Sequence, residues 1–287
     1  MKTALVFGAS GQIGAPLLQR LNERGWRVLA LSRATHSDSP GRRWLQGEFA
    51  QMPGLPEAVD AIYSCGPLDA FARWYAEARI GAPRIVAFGS TSAMTKHDSV
   101  DAHERDVVRR LLGAEAAVFD VSERRGAAAT MLRPTLVYGR GRDATLSRIA
   151  ALARRYRRFP LPRHADGLRQ PVHVGDLADA AFAASQSMAA QGRAYDLPGG
   201  EALPYRDMVR RVLDCLEPPA KLLELPMPLF RLALRVARSR GIASDLGDAA
   251  VRRMREDLVF DAGPAKRDFG YAARAFAPSA DMFKPMS

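Results

Sequence analysis

A doubly wound α/β fold, with a parallel sheet and a small, mainly helical C-terminal lobe, is what this sequence predicts, on three observations. Short apolar runs rich in β-branched residues alternate with helical stretches through the first 200 residues. The opening run, residues 2–7, passes straight into Gly8-Ala9-Ser10-Gly11-Gln12-Ile13-Gly14, after which Ile13, Leu17, Leu18 and Leu21 recur at helical spacing. Beyond Gly199-Gly200 the pattern turns mostly helical, which sets expected domains of 1–200 and 201–287.

The glycine turn between strand and helix has the context that a dinucleotide fingerprint needs. Gly8 permits the tight exit from the strand, Gly11 lets backbone approach a pyrophosphate, and Gly14 lets the helix sit close to the sheet. The following helix offers unpaired N–H groups and a partial positive charge to phosphates. Ser10, Gln12 and Ile13 complete the expected cradle.

The second strand, residues 26–31, ends at Ser32-Arg33 with no carboxylate. An Asp or Glu there would accept from the adenosine ribose 2′-hydroxyl and repel a 2′-phosphate, whereas a small polar residue followed by Arg does the reverse. Ser32 and Arg33 therefore point to NADP(H) over NAD(H); the alternative is that Arg33 is one surface arginine among many. A third strand, residues 44–49, brings Glu48 and Phe49 toward the adenine edge, and a fourth, residues 59–64, runs into Ser64-Cys65-Gly66 beside the cofactor. Cys65 reads as structural, because no base or positive charge adjoins it in sequence to lower its pKa.

A helix over residues 69–79 leads to a fifth strand, residues 84–88, and then to Gly89-Ser90-Thr91-Ser92, whose hydroxyls suit a substrate oxygen. A long helix over residues 100–124 precedes a sixth strand and a rigid exit, residues 130–139, with Pro134 and Thr135 on the cofactor side. Residues 167–178 read as a short strand entering a helix that Asp176 caps. Helices are expected at 205–216, 227–238 and 243–254. Residues 227–240 allow two readings: arginines facing lipid phosphates, or burial of Leu229, Leu232, Ala233 and Val236 against the lobe, the second being expected.

Net charge is +11, yet only five of the 42 basic residues are lysine, and the basic residues are spread along the chain without a helix-turn-helix, zinc-finger or aromatic RNA-binding signature. Nucleic acid is not an expected partner. Two cysteines cannot make a disulfide framework and suggest a reducing, cytoplasmic setting. The five histidines show no metal-ligand spacing. No segment reads as a signal peptide or as a bilayer span, so membrane insertion is not expected, and oligomeric state stays open.

These motifs together resemble the short-chain dehydrogenase/reductase superfamily, on the extended side that includes NAD-dependent epimerases and dehydratases. The resemblance runs over nearly the whole chain, through Gly8/Gly11/Gly14, Ser90-Thr91-Ser92, Leu132-Arg133-Pro134 with Val137-Tyr138-Gly139, Arg169 to Ala178, and Asp261 to Tyr271. It implies a Rossmann fold, a nicotinamide cofactor and a small-molecule substrate. It also implies a catalytic Ser or Thr at Thr91, and a Tyr-x-x-x-Lys pair ahead of a helix Glu. If Glu115 is that Glu, the pair's positions hold Val107 and Leu111, as in atypical members that lack the dyad. Lys96, His97 and Tyr138 are stand-in proton donors; Arg169 and Arg255 match phosphate-binding arginines of the epimerases, with Ser92 beside them. The implied function is an oxidoreductase or epimerase-like enzyme on a nucleotide-sugar-like or other phosphate-bearing molecule. A non-catalytic NADP(H)-binding sensor or assembly partner is the alternative.

Overall fold

The computed structural model describes residues 1–95, 99, 101–241 and 247–284. Six strands, Thr3–Phe7 (β1), Arg27–Ser32 (β2), Arg42–Gln46 (β3), Ala61–Ser64 (β4), Arg84–Phe88 (β5) and Ala128–Pro134 (β6), join an edge strand Arg193–Leu197 in one parallel sheet. The order across it is β3-β2-β1-β4-β5-β6-edge strand, so the chain reverses direction between β1 and β4. A crevice opens at such a switch point, outside the carboxyl ends of the strands.

Period-two alternation splits each strand between two layers. Val6, Ala30, Tyr63, Val86 and Leu132 face the helix Gly14–Glu23 (α1) and the helix Val174–Gln186, where Leu17, Leu21, Leu177 and Ala181 complete a buried cluster. Leu5, Ile62, Ile85 and Met131 face the helix Leu68–Glu77 (α2) and the helix Ala102–Arg124 on the other side. Both faces are covered, which is why these strands read as continuous apolar runs. The fold class expected from sequence is the one observed.

A second core gathers Ile149, Ala150, Met208, Val209, Leu213 and Phe276. It draws on the helix Leu146–Tyr156 as well as on residues beyond 200, so the lobe is assembled from both sides of that point in the chain. The lobe also holds a parallel pair of strands, Arg158–Pro162 and Lys221–Leu225, which a mainly helical reading did not foresee.

Two local expectations need correction, and a third is met over the residues described. Asp176 does not cap its helix: the ring Nδ1 of His173 accepts from the Gly175 amide at 3.1 Å, while Asp176 takes Nε and the backbone N–H of Arg274 at 2.8 and 3.0 Å. The helix expected over residues 243–254 is described only as Asp248–Arg253, residues 242–246 lying outside the described residues. The helix Met227–Ser239 buries Phe230 and Leu234 and leaves Leu229, Leu232 and Val236 exposed, because the lobe packs against the opposite side of the helix.

The turn between β1 and α1 leaves no room for side chains at its glycines. Gly8 has φ of +66°, which L side chains rarely adopt, and a Cβ on Gly14 would lie 2.2 Å from the Gly8 carbonyl oxygen and 2.8 Å from the Ala9 Cα. Gly14→Ala is expected to lower stability by about 1–3 kcal/mol or more, since backbone on both sides must move. That is a drop in Tm of roughly 2–10 °C by differential scanning fluorimetry.

Candidate dinucleotide and substrate clefts

Two clefts lie along the carboxyl edge of the sheet. The first, of about 710 Å³, is lined by Gly8, Ser10 and Gly11 of the glycine turn, Ser32 and Arg33 after β2, Glu48 and Phe49 after β3, Cys65 and Gly66 after β4, and Arg73 and Trp74 of α2. Helix α1 begins beside it with no side-chain cap; the Ala15 amide donates to the Gly11 carbonyl at 3.1 Å and Pro16 has no N–H, so the amides left for an anion are those of Gln12, Ile13 and Gly14. This cleft is long, half apolar in its walls and carries a phosphate cradle at one end, so its residues fit an adenine dinucleotide.

One part of its wall is aromatic. Phe49 lies parallel to Phe7 with centroids 5.1 Å apart, and Trp74 packs against Phe7 at 4.4 Å. Another part, at the end of β2, is polar. Ser32 Oγ lies 3.2 Å from Ser10 Oγ and 3.0 Å from Nε2 of His36, whose ring stacks on Trp44 at 4.1 Å. Arg33 is exposed over the same spot. His36 was not picked out from sequence, because only the fold shows that the loop after β2 curls back onto Ser32.

The second cleft, of about 460 Å³, is lined by Gln12, Ser90, Thr91, Ser92, Thr95, Thr135, Val137, Asp143, Arg169, Gln170, Arg253 and Phe260, among others. Arg142 lines both clefts, and its Nη1 donates to the Ser10 carbonyl at 2.8 Å. Thr91 donates its hydroxyl to the Pro134 carbonyl at 3.1 Å, tying the exits of β5 and β6 together at the floor. The amide oxygen of Gln12 is buried there without a partner. Asp143 is occupied, its carboxylate capping the helix Leu146–Tyr156 through the amides of Thr145 and Ser147 at 3.1 and 3.0 Å.

The expected site residues thus divide. Gly8, Ser10, Gly11, Ser32, Arg33, Glu48, Phe49, Cys65 and Gly66 meet in the first cleft; Gln12, Thr91, Ser92, Thr135 and Arg169 meet in the second. Ile13, Gly14, Ser64 and Pro134 support the clefts from behind rather than lining them, Ile13 packing into the core and Ser64 fully buried. Tyr138 faces neither: it is 1% exposed, edge-on to His173 and Phe276, and burial raises its pKa. Arg255 is exposed and outside both linings, and Arg253 takes the place expected for it, paired to Glu104 at 2.7 and 2.8 Å. Lys96 and His97 lie outside the described residues.

Arg169 is the most constrained of these groups. It is buried and donates to the carbonyls of Leu168 and Glu256 at 2.7 and 2.8 Å, and to that of Arg253. Burial is the main cause that lowers its pKa. Its η nitrogens therefore hold the C-terminal segment over the cleft. Glu115 forms a forked ion pair with Arg133 of β6, fixing the helix Ala102–Arg124 against the sheet. Val107 and Leu111, both half-buried, lie two turns and one turn before it on that helix. Among the described residues, no tyrosine or lysine lines either cleft, and His36 meets the first through Ser32.

Comparison with known proteins agrees with this geometry. Residues 4–96 match the NAD dependent epimerase/dehydratase family. A 2-alkyl-3-oxoalkanoate reductase of Stenotrophomonas maltophilia (strain K279a) is 26% identical, the alignment covering 93% of each chain. An Arabidopsis thaliana protein named NADH dehydrogenase [ubiquinone] 1 alpha subcomplex subunit 9, mitochondrial, is 24% identical over 79% of this chain and 61% of its own. Among solved structures, MoeE5 in complex with UDP-glucuronic acid and NAD superposes with a TM-score of 0.69 at 18% identity, covering 98% of this chain and 96% of that one. Residues 4–96 are thus similar to the NAD dependent epimerase/dehydratase family, and the whole chain shares the Rossmann-type fold of the solved structure.

Cys65 sits in the first cleft, but burial pushes its thiol up to about 12. The reactive thiolate is then scarce at neutral pH. Iodoacetamide at pH 7.5 is expected to label Cys65 in the folded protein about a thousandfold more slowly than an ordinary thiol, followed by mass spectrometry, and at the ordinary rate after denaturation.

Proposed function

We propose that the chain binds NADP(H) in the first cleft and acts as an oxidoreductase or epimerase-like enzyme on a phosphate-bearing or similarly anionic small molecule in the second. The observation that carries this reading is Arg142, which lines both clefts and reaches across the glycine turn to the Ser10 carbonyl. A guanidinium there has donors to share between a cofactor phosphate and a substrate anion. The name of the Stenotrophomonas relative, a reductase, supports carbonyl chemistry.

The cofactor would supply or accept hydride. The chain's own residues bind and orient: α1 holds phosphate, Phe49 and Trp74 hold the adenine, and Ser32, Arg33 and His36 take a 2′-phosphate. Ser90 and Ser92 present hydroxyls to a substrate oxygen from the cleft floor, while Thr91, whose proton goes to the Pro134 carbonyl, holds that floor in place. With Val107 and Leu111 in place of a tyrosine and a lysine, a missing general acid costs about 10²–10⁴ in rate. Positioning against a bound nicotinamide contributes more, about 7–11 kcal/mol. Such a site suits an acceptor that needs no proton from the protein, such as a conjugated or cationic one.

The aliphatic residues at 107 and 111 also favour a second reading, a binding protein that senses NADP(H) or joins an assembly. The Arabidopsis relative, named as a subunit of a larger enzyme, supports it.

Two measurements test these readings. By calorimetry, Arg33→Glu is expected to weaken NADPH about 10- to 100-fold, the worth of a charge-assisted hydrogen bond to phosphate, and to leave NADH nearly unchanged. Equal losses for both nucleotides would end the NADP(H) assignment. Against a panel of carbonyl compounds and nucleotide sugars, the wild-type chain is expected to consume NADPH slowly. Val107→Tyr with Leu111→Lys is expected to raise that rate at least about tenfold, a modest part of what a general acid supplies. Tight NADPH binding with no consumption by either protein would select the binding-protein reading.

A further inference from the structure

The helix Met227–Ser239 carries more apolar surface outward than inward. Its inner side buries only Phe230 and Leu234, which form a small cluster with Leu225, Met227, Ala237 and Val251 apart from the three larger cores. Outward, Leu229, Leu232 and Val236 are 54%, 55% and 43% exposed. At about 100° per residue these three fall within roughly 60° of one another, a single stripe along the helix.

The polar residues around this stripe share one sign. From Met227 to Arg240 there is no Asp or Glu, but there are Arg231, Arg235, Arg238 and Arg240. Arg231 and Arg235 are exposed on one flank of the stripe and form no ion pair among the described residues. Elsewhere in the chain the surface arginines of helices are commonly paired, as Arg20 is with Asp179, Arg110 with Asp106 and Arg210 with Asp207.

We infer that this helix is a docking face for an anionic membrane surface. An apolar stripe bordered by long cationic side chains is what lies flat at a lipid interface, the aliphatic residues entering the acyl boundary while the guanidinium groups reach headgroup phosphates. The helix is 13 residues long, too short to span a bilayer, and among the described residues no helix is long and apolar enough to cross one. A second copy of the chain is the poorer occupant. A two-fold contact through this face would set Arg231 and Arg235 against their own kind, in a chain already carrying +11. An anionic surface attracts the same groups. The inference is independent of what the two clefts bind.

The test is co-sedimentation of the full chain with vesicles. Binding is expected to vesicles containing about one-third phosphatidylglycerol, with little to pure phosphatidylcholine, and to fall as salt is raised. Leu232→Asp with Val236→Asp is expected to cut partitioning at least about tenfold, since it places charge in the acyl boundary. Arg231→Gln with Arg235→Gln should cut it about 25-fold, near fivefold for each lost cation. Both pairs are solvent-facing, so thermal melts and NADPH titrations should match the wild type. Wild-type protein that ignores anionic vesicles, or variants that bind as well as wild type, would overturn the inference. So would sedimentation velocity showing a wild-type dimer that the aspartate pair disperses.

Discussion

The structure turns on a contact with no side chain in it. The Gly8 carbonyl and the Gly14 backbone approach so closely that a methyl group on Gly14 would overlap the oxygen. That approach seats the first turn of α1 against the end of β1, beside the reversal of strand order between β1 and β4. The positive end of the helix dipole therefore lies at the switch point, beside the first of the two clefts. The aromatic wall of Phe49 and Trp74, the polar group around Ser32 and the floor at Thr91 are then strand-end or helix residues arranged about that point.

The charge of the chain has a physical account that does not involve nucleic acid. Much of the arginine is spent on closing the fold. Arg133 forks onto Glu115, Arg253 onto Glu104, and Arg169 and Arg154 donate to backbone carbonyls in the C-terminal segment. A planar donor fork does this better than an ammonium, because two nitrogens meet two acceptors in fixed geometry. Arg169 and Arg253 do this while lining the second cleft, and Arg33, Arg73 and Arg142 line the first. The shared guanidinium of Arg133 leaves Asp196 less well served: at 4.0 Å from Arg133, that carboxyl is raised above its ordinary value by burial.

How legible each part was follows from how local its cause is. Strands β1, β4 and β5 announce themselves as apolar runs because both faces are covered, and the residues just past their ends were found by topology alone. The edge strand Arg193–Leu197 was not read, since its Arg-Ala-Tyr-Asp-Leu carries charge and pairs on one side only, with β6. Arg142 was invisible for a different reason. One arginine among many has no local signal, and its place follows from long-range contacts. Arg169 was noticed for its charge, yet the structure spends its η nitrogens on carbonyls more than 80 residues away. The stripe on Met227–Ser239 was correctly seen as amphipathic, but which of its faces is inward depends on where the lobe lies, which spacing does not encode.

Arg142 owes its reach to the tail of the chain. The loop that carries it exits β6 through Gly139 and Gly141, both with positive φ. The Gly141 amide donates to the Met282 carbonyl at 2.7 Å, and a Cβ on Gly141 would lie 2.1 Å from the Lys284 oxygen. Arg154 grips the same tail through the carbonyls of Ala280 and Phe283. The glycine turn leaves the ribosome long before the brace behind Arg142 at residues 280–284. A nascent chain can therefore form the turn before it can fix Arg142 over it, and the two halves of the site are joined only after those residues have emerged.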